Sequence, residues 1–268
     1  MNLTTTMQVV PYLVRLFVKA QMEYRGAFVL DRFAQIVNYG AAYAAIWVLL
    51  ERFDTLGGWT WSELALLLSF QLLAYALGAS FSFTQFREMQ NLVRNGTLEV
   101  LLVKPFSPWA YLAFSGFNIG YLGHVILGVG LIGWAMFSVD VAWNFGSIFY
   151  LAVTMLSAAL VVCSIITMIG ATAMILVRSN YLFSIFFGFW ELTRYPLSIF
   201  PAPIQIILYT IIPMGFMAYV PTAFVLGKDI SLLGDWGGWV APFVGPVAAL
   251  VAMVHWRYCI RHYQGGGG

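Results

Sequence analysis

Long, unbroken apolar runs alternate with short polar breaks along this chain. The runs cover residues 33–50, 64–83, 112–137, 148–175, 179–200 and 239–256. Each reaches about the 18 apolar residues that a bilayer crossing needs. None alternates at every second position, as the strands of a membrane barrel do. Inside lipid every backbone N–H and C=O must find a partner within the protein, so solid runs of this length are helices. The pattern predicts an all-α membrane protein with six transmembrane helices.

The breaks have structure of their own. In residues 7–32, Arg15, Lys19 and Glu23 recur at i, i+4, while Leu13, Phe17, Ala20, Tyr24 and Phe28 follow spacings of three and four. A helix with two such faces lies among the headgroups, with Arg25 and Arg32 near phosphates. The plainer alternative is an extension of the first span. Trp59 and Trp61 follow Gly57-Gly58, as expected of a loop at a headgroup boundary. Gly116, Gly120 and Gly123 fall at i, i+4, i+7, with Gly130 continuing the row, which predicts a small-residue face for close helix packing. Beyond residue 200, Pro201, Pro203, Pro213 and Pro221 interrupt helical hydrogen bonding too often for a straight crossing. Residues 201–227 are therefore expected to form a re-entrant segment on the outer side.

The most elaborate break is 84–108. Phe86, Met89 and Val93 make an apolar stripe on a short helix that also carries Arg87, Glu88, Asn91 and Arg94. Asn95-Gly96 stops that helix, Thr97 is expected to cap a second one over Leu98–Lys104, and Pro105 and Pro108 end it. Either this region covers headgroups or it docks a soluble partner.

Composition supports the membrane reading and charge orients it. The 268 residues are 61% hydrophobic and 9% charged, with a mean hydropathy of +0.84, whereas soluble domains are about a quarter charged. Ten of the thirteen basic residues fall on one side if both termini lie inside: Arg15, Lys19, Arg25, Arg32, Arg87, Arg94, Lys104, Arg178, Arg257 and Arg261. This obeys the positive-inside rule, and a seventh crossing would break it. Glu191 and Arg194, at i, i+3, are the ionisable pair expected at membrane depth, with Tyr195 and Pro196 beside them. Such a pair either clasps the broken segment or gates a pathway.

Catalytic chemistry is not evident. There is no G-x-x-x-x-G-K-[ST] phosphate loop. His124, His255 and His262 are too scattered to suggest a metal site, and Cys163 and Cys259 suggest no disulfide. Gly78-Ala79-Ser80 with His124 would hint at an intramembrane serine enzyme, but Phe81 stands where those enzymes need glycine. A secondary transporter would show intramembrane carboxylates and internal repeats; Glu191 is nearly alone, and no repeat is visible. No nucleic-acid partner is expected.

The stretch Arg94-Asn95-Gly96-Thr97-Leu98-Glu99 through Leu101-Leu102-Val103-Lys104-Pro105 resembles a motif of ABC-2-type permeases, in particular the DUF990-like branch of prokaryotic exporter subunits. Arg194–Pro201, Ile212–Lys228 and Arg261–Gln264 resemble further motifs in the family's order. The resemblance implies a single permease domain over 1–264, followed by a glycine tail at 265–268. It implies that 84–108 is a cytoplasmic coupling region through which Phe86, Arg87, Met89, Arg94, Asn95, Gly96, Thr97, Leu98 and Glu99 engage a dimer of P-loop ATPase subunits. ATP and magnesium would belong to those subunits, with no cofactor in this chain. A second permease subunit, related or identical, and membrane lipid complete the implied assembly in a bacterial cytoplasmic (inner) membrane. Spans two and five would rearrange at the permease interface, and the chain itself would be no enzyme.

Overall fold

The computed structural model describes residues 11–265 apart from 13, 17, 106 and 177. Among these there is no sheet, only an isolated bridge between Leu56 and Trp59. The helices are α1 (Arg25–Phe53), α2 (Trp61–Arg87), α3 (Met89–Arg94), α4 (Thr97–Leu102), α5 (Pro108–Ser115), α6 (Leu122–Ser138), α7 (Phe145–Leu176), α8 (Asn180–Leu192), α9 (Ala202–Thr210), α10 (Tyr219–Val225) and α11 (Asp235–Arg261). Tight 3-10 turns lie at Ile119–Tyr121, Leu197–Ile199 and Met214–Met217. Five helical stretches are long and apolar enough to cross a membrane.

Helix α2 is the mast of the bundle. A capping box starts it: the Thr60 N–H donates to Glu63 Oε2 at 2.7 Å, and the Thr60 side chain accepts from the N3 amide in return. Its most apolar window is 83% buried, against 17% for α1. It packs between α6 and α7, and Gly78 lets it meet α7, because a Cβ there would collide with the Ala159 carbonyl and Val162. A helix enclosed in this way leaves little of its own surface uncovered.

The α7–α11 contact is the most extensive in the fold. Pro242 and Pro246 lie inside α11. Pro242 has no N–H for the Gly238 carbonyl, and Tyr150 Oη of α7 donates to that carbonyl instead at 2.8 Å. Ser157 Oγ donates to Ala241 O at 2.8 Å and accepts from Gly245 N at 2.9 Å. The proline-weakened turn is thus re-satisfied from the neighbouring helix.

Several expected elements are revised. The first long helix begins at Arg25, eight residues before the expected span, because a turn at 22–24 separates it from the helical residues 18–21. Leu13, Phe17 and residues 7–10 of the expected interfacial helix lie outside the described residues. The run 112–137 is not one helix. Asn118 breaks it: its amide donates to Ser80 O at 2.9 Å and its side chain accepts from Gly120 N at 2.6 Å. Gly116, Gly120 and Gly123 therefore sit at the end of α5, in the 3-10 turn and in α6, although each still allows close approach, to Gln85, Arg32 and Gln35 respectively. Gly130 meets nothing, and Gly128, against Leu73, takes its place. The run 179–200 is not a continuous span either: α8 stops at Leu192, and Pro196 leads into the 3-10 turn at Leu197–Ile199.

Residues 197–228 return to the loop from which they depart. Ile199 packs on Gly57, where φ is +60° and any Cβ would strike the Ile199 side chain. Lys228 Nζ donates to the neighbouring Gly58 O at 2.8 Å and pairs with Glu63 at 3.0 Å. Between these two anchors lie α9, an elbow at 211–213, the turn Met214–Met217 and α10, with Met214 to Ala223 buried.

Candidate functional site

The expected site residues fall in two regions: residues 84–108, and a cluster around the Glu191–Arg194 pair.

In the first, α2 runs on to Arg87, so the expected short helix carrying Phe86, Met89 and Val93 is split into the last turn of α2 and the short α3. Its apolar stripe points inward. Phe86, Met89 and Val93 are buried, α3 packs on α7, and Phe86 makes an edge contact with Trp256 of α11 at 5.7 Å. Gly170 of α7 gives Phe86 its place, since a Cβ there would overlap it. Leu98 is buried as well. Phe86, Met89 and Leu98 therefore anchor the region and cannot touch a partner directly.

What remains outside is Arg87, Glu88, Asn91, Arg94, Asn95, Thr97 and Glu99, together with Val100 and Val103, which are 60% and 83% exposed. Gly96 is left-handed (φ +67°) and turns the chain between α3 and α4. Thr97 does not cap α4 as expected; its hydroxyl reaches back to Leu92 O at 3.3 Å. Two further contacts were not evident from the sequence. Gln90 Oε1 accepts from the amides of Ser179 and Asn180 at 2.9 and 3.0 Å, so α3 caps the start of α8. Tyr263 and Gly265 of the tail lie against Glu99. The Tyr263 phenol is pushed above its usual range, first by burial and then by the Glu99 charge.

The second cluster lies at the other end of α8. Arg194 Nη1 and Glu191 Oε2 are 2.8 Å apart, Arg194 mostly buried and Glu191 half exposed. The guanidinium also covers the Trp190 ring at 5.0 Å. Trp190 packs against Tyr39 of α1 and Tyr75 of α2, and His124 of α6 touches both tyrosines and Tyr121. Gln71 of α2, wholly buried, donates to Trp190 O at 3.0 Å and Thr193 Oγ1 at 2.8 Å. Tyr43 Oη, Gln71 Oε1, His124 Nδ1, Trp190 Nε1 and Arg194 Nε are buried without a hydrogen-bond partner among the described residues. Tyr195 and Pro196 continue the chain out of α8; Pro196 is buried, and Tyr195 is half-buried. Sequence reading found the charged pair but missed Tyr39, Tyr43, Gln71, Tyr75 and the central place of His124. The available signal was Gln71, a lone amide within an apolar run, since polar groups inside spans are costly and call for partners. Ser80 bonds to its own helix at Ala76 O and forms no dyad with His124. Among the described residues no group of His, Cys, Asp and Glu is placed to hold a metal.

A family model described as ABC-2 family transporter protein matches residues 36–267. No curated protein and no solved structure matches.

Proposed function

Because that match spans most of the sequence, the chain belongs to the ABC-2 family of transporter proteins, and on that premise we propose that it is the membrane permease subunit of an ABC exporter. ATP and magnesium are bound and hydrolysed by a dimer of separate P-loop ATPase subunits, and a second permease, related or identical, completes the pore. The chain crosses a bacterial inner membrane six times, with both termini and residues 84–108 in the cytoplasm. Five of the crossings are the long helices; the sixth is α8 with the turn after it. Residues 201–227 are a re-entrant segment on the outer face, a reading supported by the contacts of Ile199 and Lys228 with one loop, at Gly57 and Gly58.

The observation that carries this reading is the two-sided build of 84–108. A stripe locked into α7 and α11 supports a face of arginines, polar groups and two bare valines outside the apolar bundle. Exposed apolar side chains among charges at a loop between long helices suit a protein contact better than a headgroup cover. The chain lacks a phosphate loop, so the energy must enter by contact, and this face is where it can do so. Movement of α3 would pass through Gln90 to the start of α8, and along α8 to the Glu191–Arg194 pair. That pair and Tyr195-Pro196 are assigned to gating the outer path.

The test uses permease co-expressed with P-loop ATPase subunits from the same organism. Replacing Arg94→Glu together with Val100→Asp is expected to abolish co-purification and ATPase stimulation while leaving the permease inserted and its thermal stability unchanged. Undiminished co-purification would overturn the docking face.

A further inference from the structure

On the side of the bundle away from α1 there is an apolar groove of about 570 Å³ between α7, α8 and α11. Along α11 its lining runs from Val240 to His255, which at 1.5 Å per residue is about 22 Å. That is longer than one leaflet of a hydrocarbon core about 30 Å thick. The last turn of α9 and the elbow after it, residues 209–213, also line the groove. Most hydroxyls on its walls are already satisfied within the protein: Thr172 bonds to Met168 O and to His255, Thr210 to Ile206 O, and Tyr209 to Ser231 O. The groove thus offers little to a polar ligand along its length, while Phe243, Val247 and Val251 stand open to the outside at 66%, 57% and 50% exposure.

The other end differs. His255 lies there, in contact with Thr172 at 3.1 Å and Cys259 at 3.4 Å. Immediately beyond come Arg178, after the end of α7, and Arg257 and Arg261 on α11, all exposed. The segments 172–185 and 250–262, which carry these arginines and the groove residues Thr172 and His255, contain no acidic side chain. A long dry slot with one cationic mouth matches an amphiphile with an extended hydrocarbon chain and an anionic head.

We propose that the groove binds one acyl chain of an anionic phospholipid from the bilayer leaflet at the basic end, its phosphate held among Arg178, Arg257 and Arg261. The inference rests on the membrane topology above but not on ATPase coupling. A chain that passes the bilayer midplane and abuts the 211–213 elbow would link lipid occupancy to the outer segment.

The experiment uses full-length permease in phosphatidylcholine vesicles containing a minor share of phosphatidylglycerol, without ATPase. Trace phosphatidylglycerol or phosphatidylcholine carrying a photoactivatable group near the chain end is crosslinked, and the adducts are mapped on peptides. Adducts from phosphatidylglycerol should concentrate on α7 and α11 groove residues. They should exceed those from phosphatidylcholine by about fivefold or more, the discrimination that even one arginine near an anionic headgroup supplies. Ala248→Trp, which fills the groove, should remove these adducts and spare those on the exposed face of α1. Should that variant fail to fold, Arg178→Gln/Arg257→Gln/Arg261→Gln, altered only at exposed positions, should bring the ratio to about one. Equal labelling by both lipids in the unaltered protein, or groove adducts no denser than those on α1, would mean ordinary bilayer contact and overturn the proposal. So would disulfide-linked permease dimers formed through Val247→Cys, since a second permease would then cover the groove.

Discussion

Arg194 and Glu191 form one ion pair, but their surroundings make them unequal. Arg194 is mostly buried, stacks on Trp190 and has no alternative anion among the contacts described. Glu191 is half exposed. Glu191→Gln takes the anion from the mostly buried Arg194 but keeps an amide oxygen to accept its hydrogen bond, so it should cost about 1–2 kcal/mol. Arg194→Leu removes a buried charged hydrogen bond and the ring contact, and should cost about 1.5–3 kcal/mol. Unfolding in mixed micelles measures both. If Glu191→Gln impairs transport by more than its small stability loss accounts for, the pair belongs to the path; if transport falls only in step with stability in both variants, it is a clasp. Gly57 poses a sharper question of the same kind. Alanine there must accept a left-handed φ, a penalty of about 1–2 kcal/mol, and also meets Ile199. Gly58 is equally left-handed but has open space around it. Gly57→Ala should therefore destabilise more than Gly58→Ala, and Ile199→Ala should relieve only the difference. Equal losses at the two glycines would show that the Ile199 contact carries no weight.

At the scale of helices, α11 depends on α7 for backbone partners. Tyr150→Phe should leave the Gly238 carbonyl buried and unpaired, costing about 1–3 kcal/mol. Pro242→Ala restores an N–H for that carbonyl, so it should suppress most of the Tyr150→Phe defect in denaturation midpoints. Additive losses would exclude the exchange. The elements also show what hydropathy can convey. Apolar runs located the long helices because lipid imposes their length, and the prolines after residue 200 marked the broken region. Hydropathy did not show that Asn118 would break 112–137, because one polar residue among apolar neighbours barely changes a window average while its side chain captures a turn. Nor did it show which side of 84–95 faces inward. Phe86, Met89 and Val93 form an apolar stripe whether they meet a partner subunit or α7, and only Gly170, more than 70 residues away, decides between them. Gln71 and Tyr39 were invisible as a pair because each alone is an ordinary polar residue in a span; only the packing of α8 joins them through Trp190.

For the whole molecule, the charge asymmetry and the tertiary contacts constrain topology independently. Ten of the thirteen basic residues fall on one side if the chain crosses six times, and Lys228 and Ile199 meet a single loop. If 201–227 turns back, positions on both sides of it share one membrane face. Thr55 and Asp229, both exposed, should then react as cysteine variants with an impermeant maleimide applied to intact cells. Asn95 and Gln264, exposed at the basic end, should react only after permeabilisation. Replacing Cys163 and Cys259 beforehand removes background; Cys259 needs a small substitute because it is buried against His255. If the segment crossed instead, Asp229 and Thr55 would label from opposite sides, which the Lys228–Glu63 pair at 3.0 Å could not span. The same labelling bears on the route of coupling. A re-entrant 201–227 keeps α11 parallel to α7, as the Tyr150–Gly238, Ser157–Ala241 and Thr172–His255 contacts require, so their basic ends meet where Phe86 wedges between Gly170 and Trp256. Force applied to α3 from the cytoplasm would then reach both helices at once. Phe86→Ala should accordingly weaken ATPase stimulation of transport while leaving the exposed docking face, and hence co-purification, intact.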